Sequence, residues 1–67
     1  MIEVRVNGSA RELADASTVA DLLGVLGIQP AGVAVAVNGV VVPRAGHDRT
    51  VLPDGASVEV LTAVQGG

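Results

Sequence analysis

Between Ser17 and Pro30 the chain reads STVADLLGVLGIQP, and the period of its apolar residues decides the fold. Val19, Leu22, Leu23 and Leu26 fall at i, i+3, i+4 and i+7, one face of a helix. Thr18 with Asp21 three residues on resembles a capping box, in which each side chain takes a backbone N–H that the first helical turn leaves unpaired. Gly27 and Pro30 supply the stop. Gly24 falls inside the helix, where glycine costs about 1 kcal/mol relative to alanine, and close packing of helix on sheet is its expected reason.

On both sides of this helix the period shortens to two. Ile2, Val4 and Val6 alternate with Glu3 and Arg5, and Asn7-Gly8 is the favoured two-residue hairpin turn, leading to a return strand over about Ala10 to Ala14. The sequon Asn7-Gly8-Ser9 therefore reads as a turn rather than a glycosylation site. After the helix, VAVAVNGVVV over 33–42 is strand-like and broken by Asn38-Gly39. A polar crossing, RAGHDR, leads to a short extended piece at Thr50 to Leu52, a turn at Pro53 to Gly55 and a final strand SVEVLTAV. Hairpin, helix, strand, short excursion and last strand make an α+β chain in which one helix must cover one face of a mixed sheet of four to five strands. This is the β-grasp arrangement, expected over residues 1–64, with a flexible tail at 65–67.

Composition narrows the function. A chain of 67 residues is one small domain whose core supplies about 3–5 kcal/mol, too little to carve a deep active-site pocket. It is 49% hydrophobic and 16% charged, so it is globular, but it has no aromatic residue and its core must be aliphatic. The absence of cysteine excludes a disulfide scaffold, a thiolate metal site and a cysteine nucleophile. A net charge of -3 with four Arg and no Lys gives nucleic acid neither a basic face nor stacking platforms. MIEVRVNG places charge among its apolar residues within three positions, unlike a signal-peptide core, and no apolar run approaches the roughly 20 residues of a membrane span. The expected compartment is the cytoplasm, without membrane association.

The usual catalytic constellations fail in turn. His47 is the only histidine and reads as an ordinary loop residue. Asp15, Asp21, Asp48 and Asp54 do not cluster in sequence as a carboxylate metal site requires. Ser9, Ser17 and Ser57 sit at turns, caps or strand starts, where local backbone bonding accounts for them. Glu3, Arg5, Arg11 and Glu59 read as solvated sheet positions. The sequence predicts no enzyme, no metal and no cofactor.

The end of the sequence, LTAVQGG, has a chemistry of its own. A terminal carboxylate becomes an acylating agent only after activation, ordinarily adenylation by ATP, and a nucleophile must then reach the acyl carbon in a narrow site. Glycine suits such a site: without Cβ the backbone threads a tight channel in φ/ψ regions closed to other residues, and the last carbonyl is unshielded. A glycine pair alone is a weak signal, since termini also fray into such sequences. At the end of the last strand of a β-grasp domain it is a strong one.

From Met1 to Gly67 the chain resembles the ThiS family, the ubiquitin-like sulfur carriers of thiamine biosynthesis. The resemblance rests on VNG at 6–8, TVADLL at 18–23, AVAVNGVVVPR at 34–44, LPDG at 52–55 and VEVLTAVQGG at 58–67. Two departures stand out: AGHD follows Pro43-Arg44 where the family often carries an aromatic residue, and Ala56 stands where the turn often reads DGD. They bear on details of a docking surface. The resemblance implies that an ATP-dependent adenylyltransferase of the ubiquitin-activating type forms an acyl-adenylate on Gly67. Sulfur from a cysteine desulfurase or other donor then makes a thiocarboxylate, which gives its sulfur to thiazole synthase. Gly67 would be the covalent carrier, Gly66 and Gln65 would thread the partner's active site, and Ala63, Val64 and Gln65 would form the stalk.

Alternation along the last strand predicts where partners dock. If Val58, Val60 and Thr62 face the helix, then Glu59, Leu61 and Ala63 face outward, beside Ala34 and Ala36 of the neighbouring strand. This would be a flat, nearly uncharged patch next to the tail; a small domain that cannot cover all its apolar surface would leave the same patch. Other functions remain open: a molybdopterin-type sulfur carrier, a ubiquitin-like protein modifier, or a passive β-grasp binding module.

Overall fold

A computed structural model describes residues 1–62. The strands are β1 (Ile2–Val6), β2 (Ser9–Leu13), β3 (Val33–Val37), β4 (Val40–Val42) and β5 (Ser57–Thr62). One helix, α1 (Val19–Leu26), follows β2, and a 3-10 turn over Arg44–Gly46 follows β4. The sheet order is β2-β1-β5-β3-β4. β5 lies parallel to β1 and antiparallel to β3, and the two hairpins form the flanks. The return strand begins one residue earlier than the sequence predicts, because a two-residue turn at Asn7-Gly8 pairs Val6 directly with Ser9.

The turns carry the geometry their residues favour. Asn7 and Asn38 adopt φ 50 and Gly8 and Gly39 φ 87 and 83, the left-handed pairs that match the twist of flanking strands. The Nδ2 of Asn7 donates to the carbonyl of Val60 at 3.0 Å, so the sequon nitrogen is engaged within the fold.

Helix α1 is closed at both ends as expected. The Asp21 N–H donates to Thr18 Oγ1 at 3.2 Å, and the Thr18 N–H donates to an Asp21 carboxylate oxygen at 2.9 Å. Gly27 takes φ 71, and the N–H groups of Gly27 and Ile28 close on the carbonyls of Gly24 and Leu23. The extended piece around Val51 does not join the main sheet. It bridges Thr18, with the Val19 N–H donating to Thr50 O and the Leu52 N–H to Ser17 O, and so fastens the start of the helix.

The core is aliphatic throughout. Val19, Leu22 and Leu23 of α1 pack among Val4, Val6, Leu13, Val35, Val37, Val42, Val58 and Val60 of the sheet, with Leu52 and Ala56 closing the end, while Leu26 is half-buried.

Two readings of the sequence are corrected. Gly24 does not allow close packing of helix on sheet: it is exposed, and a Cβ built there would meet nothing within 4 Å. His47 is not an ordinary loop residue. It is 4% exposed, and among the described residues neither ring nitrogen has a hydrogen-bond partner. The Ala20 N–H donates to the His47 carbonyl at 2.9 Å, which draws the segment against the helix and its ring inward.

Candidate docking face and tail root

The register between β3 and β5 determines what the outer face presents. Val35 opposes Val60 and Val37 opposes Val58, and all four are buried. The alternate pairs must then face away from the helix: Ala34 opposes Leu61 and Ala36 opposes Glu59. Leu61 is 68% exposed, Ala34 and Glu59 are exposed, and Ala36 is half-buried. Of the residues that the sequence places on a docking patch, Leu61, Glu59, Ala34 and Ala36 are therefore brought together. Thr62 keeps the inward parity of Val58 and Val60 but is exposed, lying at the end of the strand beyond the buried core.

Sequence reasoning missed one member. Val41 opposes Ala36 across β3 and β4 and is 70% exposed, so Glu59, Ala36 and Val41 form a row over three adjacent strands. The signal was present in Asn38-Gly39: a two-residue turn pairs Val37 with Val40, and the next pair outward is Ala36 with Val41.

Beside this face, at the end of β5, lies a cleft of about 470 Å³ lined by Pro30, Val33, Ala34, Arg44, Leu61 and Thr62. It is where the chain leaves the described residues. Ala63, Val64 and Gln65, the stalk expected from the sequence, and the glycines Gly66 and Gly67 lie outside the described residues, as does the end of the final strand that the sequence predicts.

Among the described residues no three His, Asp or Glu side chains come together as a metal site. Ser17 Oγ is tied to the Ala14 carbonyl at 2.7 Å, the local bond expected of a loop serine. No helix among the described residues is long and apolar enough to cross a membrane.

A five-stranded mixed sheet with a parallel β1–β5 pair and one helix on one face defines a β-grasp, ubiquitin-like protein. A profile of the ThiS family matches residues 4–67, nearly the whole chain. The crystal structure of a thiamine biosynthesis protein (ThiS) from Geobacter metallireducens is similar at 35% identity and a TM-score of 0.82, covering 98% of this chain and 100% of that one. A solution NMR structure of a thiamine biosynthesis protein from the same organism is similar at 35% identity and a TM-score of 0.77, covering 98% and 88%. A comparison with curated proteins found no match. The chain belongs to the ThiS family. Membership places it among small carriers rather than catalysts, in line with the sequence reading.

Proposed function

We propose that this protein is a sulfur carrier of thiamine biosynthesis whose cargo is held on Gly67. In this reading an ATP-dependent adenylyltransferase activates the Gly67 carboxylate as an acyl-adenylate. Sulfur from a cysteine desulfurase or another donor replaces the adenylate to leave a thiocarboxylate, and thiazole synthase receives that sulfur. Gly66 and Gln65 thread the partner's active site, where the absence of a Cβ at Gly66 keeps the approach narrow. Leu61, Glu59, Ala34 and Ala36, together with Ala63, make the contact with the partner in this reading. The protein supplies surface and carrier, and its partners supply the chemistry.

The observation that supports this reading most directly is the family match, whose span, residues 4–67, includes the two last glycines. The apolar outer face at the end of β5 fits it, because a partner that grips the body there is positioned to receive the tail. The reading is tested by intact-mass analysis of protein purified from its native host: replacement of one terminal oxygen by sulfur supports it. Deletion of Gly67 should leave folding unchanged, since a terminal residue contributes little to the core, and should abolish adenylate formation. Full activation of the truncated chain would overturn the reading.

A further inference from the structure

Arg44 is held at a junction. Pro43, at φ −60 and ψ 152, starts the 3-10 turn, and the Gly46 and His47 N–H groups close on the carbonyls of Pro43 and Arg44 at 2.8 and 3.1 Å. The turn is tied to α1 by the Ala20 N–H to His47 carbonyl bond and braced by Thr50 Oγ1 donating to the Gly46 carbonyl at 2.9 Å. The Arg44 side chain thereby walls two clefts at once. One is the tail-root cleft with Leu61 and Thr62, and the other is a groove of about 680 Å³ between α1 and the 3-10 turn, with Leu23, Gly24 and Ile28.

Within the tail-root cleft every other lining residue is uncharged. Arg44 is exposed and has no carboxylate partner among the described residues, where the one ion pair joins the Met1 amino group to Asp15. Asp48 lines the neighbouring groove but forms no such pair with it. An exposed arginine is ordinarily a solvated charge. Arg44, however, shares a cleft with Leu61 and Ala34, so a partner seated on them also covers it, and a guanidinium taken out of water without a counter-charge opposes binding. The partner surface must therefore bring an anion to this point, and a carboxylate matches the planar fork of the guanidinium with two parallel hydrogen bonds.

We propose that Arg44 is the ionic anchor of the docking face, receiving a carboxylate of the activating adenylyltransferase at the root of the tail. The inference rests on the carrier reading given above. Arg44 acts as a positioning residue and not in the chemistry, which the carrier reading puts on the Gly67 carboxylate.

The test is ATP–pyrophosphate exchange with the ThiS-pathway adenylyltransferase of the same organism, at varied concentrations of full-length carrier. Arg44→Glu should raise the apparent KM about tenfold or more at low salt with kcat little changed, since like charges brought together at an interface strongly oppose association. Arg44→Gln, which keeps the length and loses the charge, should give a smaller rise, and Arg44→Lys, which keeps the charge but loses the fork, should fall between Arg44→Gln and the parent. Arg49→Glu makes the same change in net charge on the same segment but lines neither cleft, and should behave like the parent. Unchanged KM in both Arg44→Glu and Arg44→Gln overturns the proposal. So does an equal loss in Arg49→Glu, which would indicate general charge steering, or a fall in kcat at constant KM. A parent chain that supports no exchange overturns the carrier reading itself, and this inference with it.

Discussion

The side-chain amide of Asn7 forms two hydrogen bonds with the backbone of Val60: Nδ2 donates to the carbonyl at 3.0 Å, and the Val60 N–H donates to Oδ1 at 2.9 Å. The paired positions of β1 and β5 end at Val6 and Val58, so the amide adds one further rung and holds β5 just before Leu61. Asn7→Gly preserves the backbone at φ 50 and removes both bonds. With a part-buried donor and acceptor left unpaired, it should cost about 1–3 kcal/mol. Chemical denaturation measures the loss, and amide exchange should localise it to Val60; unchanged protection there would contradict the bracing role.

Leu22 and Leu23 test the covered face of the sheet. Both are almost fully buried, at 0% and 2% exposure. Leu22→Ala or Leu23→Ala should cost on the order of 2–5 kcal/mol, close to the whole stability expected of so small a domain. At least one variant should be largely unfolded at room temperature by circular dichroism. Parental melting of both would mean that the helix contributes little to the core.

Two small residues occupy each other's preferred conformations. Ala16 is held at φ 64, where a Cβ crowds the backbone, while Gly24 spends its conformational freedom in a regular helix beside open space. Gly24→Ala should therefore stabilise the protein by about 1 kcal/mol, and Ala16→Gly should gain by relief of the left-handed strain, roughly 1 kcal/mol before the entropy of the added glycine is subtracted. Both are read as a rise in melting temperature. A drop in Gly24→Ala would show that the groove beside it closes more tightly than its geometry indicates.

The sheet was legible because its signals are local. Asn-Gly turns, a capping box and a two-residue alternation each act over a few positions, and together they specify strand boundaries, helix ends and the facing of Leu61. What escaped depends on contacts between distant segments. Gly24 reads the same whether its open side meets a sheet or solvent, and only the packed helix distinguishes them. His47 sits in a polar run, RAGHDR, where nothing nearby indicates burial; its ring goes inward because the 3-10 turn and the Ala20 bond bring this segment against α1. Val41 lies between these cases, since its register follows from the Asn38-Gly39 turn once the pairing is counted outward.

The burial of His47 has a consequence for stability. Two buried ring nitrogens that have no hydrogen-bond partner among the described residues lose their hydration without a compensating bond. His47→Leu removes both polar atoms while keeping a branched side chain of comparable reach, so it should raise stability by about 1 kcal/mol if the smaller volume is absorbed. Urea unfolding of the two proteins side by side checks this. Equal or lower stability of the variant would mean that ring shape outweighs the unpaired nitrogens.

Leu61 is a position at which folding and recognition can be separated. It is apolar and 68% exposed, directly opposite Ala34 on the face away from the helix. Leu61→Asp should therefore leave the fold nearly unaffected, within about 0.5 kcal/mol, as surface substitutions away from special features usually do. In a complex the same change places a carboxylate in the apolar contact, on the same face as Glu59 and in the cleft that Arg44 lines, where it either is buried beside a like charge or takes the guanidinium from the partner, and both oppose binding. Under the proposed carrier function the expected protein melts like the parent and is activated poorly by the adenylyltransferase, with a raised apparent KM in pyrophosphate exchange. A variant that folds and is activated normally puts the docking surface elsewhere. A variant that unfolds would mean that the outer face of β5 supports the domain itself and is not held ready for a partner.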